Sequence, residues 1–114
     1  MIKNFSKIFA LILTLMFSAN NYAQCTGCNI ENPSNGGNLI LSDNSVVCFT
    51  QDATVTNITF GNNSKLCVAP GVTVIIQNYV TTNSGDNITF EIGGTLQFNQ
   101  TPQINANLTI NVQD

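Results

Sequence analysis

Pairs of apolar residues return along this chain at nearly constant intervals, and that return restricts the fold more than any other feature. Val47/Phe49, Leu66/Val68, Ile88/Phe90 and Leu108/Ile110 follow one another at steps of 19, 22 and 20 residues. A second series, Ala53/Val55, Val74/Ile76 and Leu96/Phe98, steps by 21 and 22. A third and weaker one runs through Leu39/Leu41, Ile58/Phe60, Val80 and Ile104. The two members of each pair are two residues apart, which is the period of a strand with one face turned inward. Three interleaved series with one shared period predict a solenoid whose every turn carries three short strands, with like positions stacked. The expected fold is therefore all-β, a short right-handed parallel β-helix of about four rungs.

The punctuation agrees. Ser34-Asn35-Gly36-Gly37, Gly61-Asn62-Asn63, Pro70-Gly71, Ser84-Gly85-Asp86 and Gly93-Gly94 supply residues that tolerate positive φ or preset a turn. One motif resists the scheme. Asn-Ile-Thr-Phe occurs at 57–60 and again at 87–90, an offset of one and a half rungs. We read it as shared strand chemistry on two different faces, but a hairpin repeat would also produce it. An antiparallel β-sandwich of about seven strands thus stays open as the alternative.

Residues 1–23 have the build of a secretory signal peptide. Lys3 and Lys7 form a positive start, Ile8–Phe17 (IFALILTLMF) an apolar stretch of ten, and Ala23 the cleavage point. Ten residues fall well short of the roughly 20 that span a bilayer. The remaining organisation is an N-terminal cap with Cys-x-x-Cys over residues 24–38 and a β-solenoid domain over 39–114. Without the leader the chain keeps one cation, Lys65, against Glu31, Asp43, Asp52, Asp86, Glu91 and Asp114, a net charge of −5. Nucleic acid and anionic lipid both require a basic footprint, so neither is an expected partner, and no membrane span is expected after leader cleavage.

Cys25, Cys28, Cys48 and Cys67 all lie in the exported part. An even number of cysteines in an oxidising compartment points to disulfides, with three possible connectivities for four residues. A redox role for Cys25-Thr26-Gly27-Cys28 would need a helix that lowers the thiol pKa, and no helical pattern follows. Zinc would need a second close cysteine pair. If Val47/Phe49 and Leu66/Val68 face inward, Cys48 and Cys67 face outward at matching places on neighbouring rungs. Strands about 4.8 Å apart fall within the Cα range of a disulfide. The expectation is a Cys48–Cys67 staple, with Cys25 and Cys28 paired together or free.

No catalytic residue, cofactor or metal site is expected. The exported part has no His, and its acids fall on different predicted faces or in turns, where they keep strand edges soluble. The calcium-binding nonapeptide and the EF-hand loop are absent. Thr54-Val55-Thr56 could begin an ice-binding array, but its stacked equivalents are Ile75/Gln77 and Gln97/Asn99, so the row breaks after one rung. Phe49, Phe60, Phe90 and Phe98 are assigned inward, leaving Tyr79 as the main exposed ring for a glycan. Five sequons (Asn57, Asn62, Asn87, Asn99, Asn107) follow from abundant Asn and Thr; stacked amide ladders are the expected use of these side chains.

The leader ending in Tyr22-Ala23-Gln24, the immediate Cys25-Thr26-Gly27-Cys28, and the later Val47-Cys48-Phe49 and Leu66-Cys67-Val68 resemble the start of large secreted, adhesin-type surface proteins of Bacteroidota. The likeness covers nearly the whole chain and rests on composition and cysteine placement. It implies a β-helix-like region of Asn/Thr/Gly-rich repeats behind a signal peptide, in a protein secreted or held at the bacterial cell surface. The chain departs from that pattern by stopping at Asp114 after a strand, without a sorting module. We expect a truncated reading frame or a small released protein, whose open last rung self-associates. The expected function is an exported, non-enzymatic structural or adhesive β-solenoid. The alternatives are a small extracellular glycan-binding module and, further off, a degenerate polysaccharide-active β-helix.

Overall fold

Strands of two to six residues cannot satisfy their backbone groups alone, so each must find a neighbouring strand. In the computed structural model, which describes residues 25–33 and 36–112, they find it by coiling. The expected leader, residues 1–23, lies outside the described residues. The strands are β1 (Ile30–Glu31), β2 (Asn38–Ile40), β3 (Val46–Phe49), β4 (Ala53–Val55), β5 (Asn57–Thr59), β6 (Ser64–Val68), β7 (Thr73–Ile76), β8 (Val80–Thr81), β9 (Asn87–Ile92), β10 (Thr95–Phe98) and β11 (Asn107–Val112).

They form three walls, ordered β1-β3-β6-β9-β11, β4-β7-β10 and β2-β5-β8. Every pairing is parallel. From β2 to β10 the chain visits the walls in constant rotation, so the molecule is a β-solenoid of about four turns and the antiparallel sandwich is excluded. The repeated Asn-Ile-Thr-Phe falls on β5 and β9, in two different walls.

Inside the coil the paired series stack in layers. Val47, Leu66 and Phe90 align, as do Phe49, Val68 and Ile92. On the second wall Val55, Ile76 and Phe98 align; on the third, Leu39, Ile58 and Val80. Nearly all of these are buried, forming one continuous core, with Phe98 and Val80 packed against it. Phe90 sits between two rings, with centroids 5.6 Å from Phe60 and 6.4 Å from Phe98.

One stacking expectation is corrected. Leu66 lies beside Phe90, not Ile88, and Ile88 lies beside Ser64. The cause is a two-residue insertion matched by a two-residue deletion. Phe60 N donates to Thr81 O, so Phe60 corresponds to Thr82; Ser64 follows after four residues, but its equivalent Ile88 follows after six. The extra length is taken up at Asn83–Asp86, where Gly85 adopts φ +88° and Asp86 N donates to Asn83 O. The next corner removes it again, because Gly93-Gly94 replaces the longer Ala69–Val72 turn and β10 returns to register with β7. A slip of two preserves which side chains face inward, whereas a slip of one would have reversed them.

That compensation depends on Gly94. A Cβ there would overlap the Val72 carbonyl oxygen and lie 2.6 Å from the Ala69 carbonyl oxygen. Both obstacles are backbone, so neither can swing aside. Gly94→Ala is expected to lower stability by about 1–3 kcal/mol, the usual range for forced overpacking. Chemical denaturation of the variant against the parent checks this, and an unchanged midpoint would contradict the close approach.

Candidate functional site

The outer face of the first wall carries the chain's most concentrated chemistry. Alternation along β3 and β6 turns Val47, Phe49, Leu66 and Val68 inward and therefore places Cys48 and Cys67 outward, side by side in register. They are nevertheless buried, with Cys48 fully so. What covers them is the segment preceding β1. Ile30 and Glu31 pair with Val47 and Cys48 as the first strand of this wall. Asn29 and Asn32 fasten the two ends of β1 to β3: Asn29 N donates to Val46 O and Asn29 Oδ1 accepts from Val46 N, while Asn32 N donates to Cys48 O and Asn32 Oδ1 accepts from Thr50 N. Residues 25–28 are bridged to the outer face as a hook.

Two disulfides lock the hook, and they correct the expected pairing. Cys28 bonds Cys48 and Cys25 bonds Cys67, each with Cα atoms 5.8 Å apart; no Cys48–Cys67 staple forms and no free cysteine remains. The physical reason lies in the Cβ geometry of a parallel sheet. In-register neighbours have side chains running alongside each other, so their Cβ atoms stay about a strand spacing (~4.8 Å) apart, beyond the roughly 3.8 Å a disulfide favours. An irregular segment lying over the outer face can approach each cysteine end-on. The Cys-x-x-Cys spacing then matches the step between adjacent strands, giving one bridge to each. Cys48 does stack on Cys67, but stacking in register does not bond them.

Beyond the hook, Lys65 Nζ lies 3.4 Å from Glu91 Oε2 on the same face. With both side chains about a third exposed, such a pair contributes about 0–1 kcal/mol. Two other carboxylates serve as turn fixtures between rungs. Asp43 Oδ1 accepts from Asn62 N, and Asp52 Oδ1 accepts from Thr73 N. Among the described residues no group of three or more His, Cys, Asp or Glu is placed to hold a metal, and no helix is long and apolar enough to cross a membrane.

The five sequon asparagines are engaged in the coil itself. Asn57 Nδ2 donates to Asn38 Oδ1 while its own Oδ1 accepts from Tyr79 N. Asn107 Nδ2 donates to Asn87 Oδ1, Asn62 Oδ1 accepts from Asn87 N, and Asn99 Oδ1 accepts from Gln97 Nε2. Four of these tie one turn to the next, as stacked amides should. The threonine row is interrupted as expected, Thr54 lying on Ile75 and Ile75 on Gln97, with Thr73 on Thr95.

Two grooves mark the surface of the described residues. One of about 430 Å³ runs along the second wall between Gly36, Asp52, Thr73 and Gln77. Another, of about 250 Å³, lies beside Tyr79 and is lined by Asn78, Val80, Gln100, Thr101 and Gln103. Tyr79 is 71% exposed, whereas Phe49, Phe60 and Phe90 are buried. Sequence reasoning found the ring but not the three carboxamides around it, because Gln100 and Gln103 belong to an irregular stretch without periodicity. Compared with protein-family models, with curated proteins and with solved structures, the chain matches none.

Proposed function

We propose that this chain is an exported, non-enzymatic structural or adhesive β-solenoid of the bacterial cell surface. The observation that carries the reading is the hook: two disulfides that fasten residues 25–28 across two rungs of the coil. Bridges of this kind form and persist in oxidising compartments, which agrees with the leader read in the sequence. They reinforce a thin core where cellular chaperones do not operate. A wall surface of Asn, Thr and Gln, with Asp43 and Asp52 used in turns and Glu91 paired with Lys65, suits a scaffold better than proton transfer. The test is localisation and redox state: the protein expressed with its leader should fractionate outside the cytoplasm with both disulfides formed. Retention in the cytoplasm with reduced thiols would overturn it.

A second reading, glycan binding, is favoured by one specific place. Tyr79 presents an uncharged ring beside Asn78, Gln100 and Gln103, and sites for small polar ligands combine an apolar surface with a few convergent polar groups. A glycan array separates the two readings. On the binding reading, Tyr79→Ala abolishes a signal that the parent protein gives, with the thermal midpoint unchanged. A blank array for the parent leaves the scaffold reading alone.

A further inference from the structure

We propose that the groove beside Tyr79 binds a single uncharged pyranose ring, stacked on the tyrosine and held by the carboxamides of Asn78, Gln100 and Gln103. The inference rests on the glycan reading of that groove, and adds to it the class of sugar and the reason the tyrosine stands there. The third wall builds a ladder of amides on its outer face. Asn38 and Asn57 are in register, and Asn57 Nδ2 donates to Asn38 Oδ1 at 2.8 Å. Ile58 pairs with Val80, so the next place in that outer row belongs to Tyr79. An asparagine there would continue the ladder as Asn57 does. The chain instead presents an aromatic ring that is 71% exposed.

The ring is displayed from a fixed base. Tyr79 N donates to Asn57 Oδ1 at 3.0 Å, and Tyr79 O accepts from Ile58 N at 2.9 Å. Both of its backbone groups are thus tied to β5 and its neighbour, while Val80 packs against the core. Anchoring of this kind lowers the ordering cost of binding. Gln100, Thr101 and Gln103 reach the groove from the irregular stretch after β10. That stretch is fastened too: Ile104 packs against the core, and Asn105 N donates to Thr82 Oγ1 at 2.9 Å.

The polar groups around the ring are uncommitted. Asn29, Asn32, Asn57, Asn62 and Asn87 use their carboxamides between turns. Those of Asn78, Gln100 and Gln103 are exposed and bond to no other described residue. A carboxamide both donates and accepts, which suits hydroxyl groups that do the same. A pyranose also offers an apolar C–H face to the tyrosine ring. The groove's volume of about 250 Å³ falls just below the roughly 300–1,000 Å³ of sites for drug-sized ligands, so it takes one ring. None of its lining residues is charged, and one Lys against six acids leaves residues 24–114 at −5. A sugar carboxylate would meet repulsion and find no counter-ion there.

The test is nuclear magnetic resonance on the protein secreted through its own leader. It is titrated with the methyl glycosides of glucose, galactose and mannose, and separately with glucuronate. At least one neutral glycoside is expected to move the Tyr79 ring signals and the side-chain amide signals of Asn78, Gln100 and Gln103; glucuronate should move none. Tyr79→Asn continues the ladder, so it should keep or raise the thermal midpoint while weakening binding by about tenfold or more. Tyr79→Phe keeps the platform and should bind within about threefold of the parent. Shifts that arise elsewhere, that persist in Tyr79→Asn at the parent's affinity, or that glucuronate matches would overturn this inference and leave the glycan reading in place. Silence towards all three glycosides overturns it as well. Joined to a blank glycan array, that silence removes the glycan reading too.

Discussion

Reducing both disulfides, or replacing all four cysteines by alanine, is expected to remove about 4–6 kcal/mol of stability. In the chain-entropy account, closing the 20-residue separation of Cys28 and Cys48 is worth about 3 kcal/mol, and the 42-residue separation of Cys25 and Cys67 about 4. One loop is nested in the other, so their sum is an upper bound. Set against a typical total of about 5–15 kcal/mol, the loss is a large share. It corresponds to a fall in thermal midpoint of roughly 20–30 °C for a domain this small. Circular dichroism melts with and without a phosphine reductant measure it. Residues 25–33 should also become protease-sensitive first, since β1 is held by only two paired residues and its Asn29 and Asn32 ends. Equal melting curves in the two conditions would mean that the hook holds nothing.

The same hook shows where sequence reasoning succeeded and where it stopped. The period near 20 residues, the three walls and the inward faces were legible because a strand's period of two and a coil's stacking both leave a mark on residue order. The third pair of the first series, Ile88/Phe90, is shifted by two against the second, for a local reason. Ser64 occupies an inward place yet is polar, its buried hydroxyl donating to Gly61 O at 2.7 Å. A small satisfied serine looks like a turn residue, so the nearest apolar pair was aligned in its stead. The cysteine connectivity failed differently. Residue order told which cysteines stack, but bonding depends on the direction in which Cβ atoms point, and direction is a property of the assembled sheet. The groove beside Tyr79 was illegible for a third reason: its carboxamides come from a stretch with no period to read.

A substitution on β9, the strand next beyond the disulfide-tied β6, should fail on the other side of the clamp. Phe90→Ala is expected to cost about 3–5 kcal/mol, the range for emptying a buried aromatic site. Phe90 is 3% exposed and its ring lies between Phe60 and Phe98, so its removal opens a space that two neighbouring walls share. In a solenoid each turn touches only its neighbours, and stability is a sum of local terms. Both disulfides lie between residues 25 and 67 and constrain nothing beyond β6. The damage should therefore stay on the later turns: β9, β10 and β11 lose hydrogen-exchange protection while β3 and β6, tied by the hook, keep theirs. Reduction should give the reverse order, with the first turns opening before the last. Hydrogen exchange followed by fragment mass analysis on the two samples compares these patterns directly. If Phe90→Ala instead lowered protection evenly from β1 to β11, the coil would unfold as one unit, and the division between a clamped first half and a packed second half would be wrong.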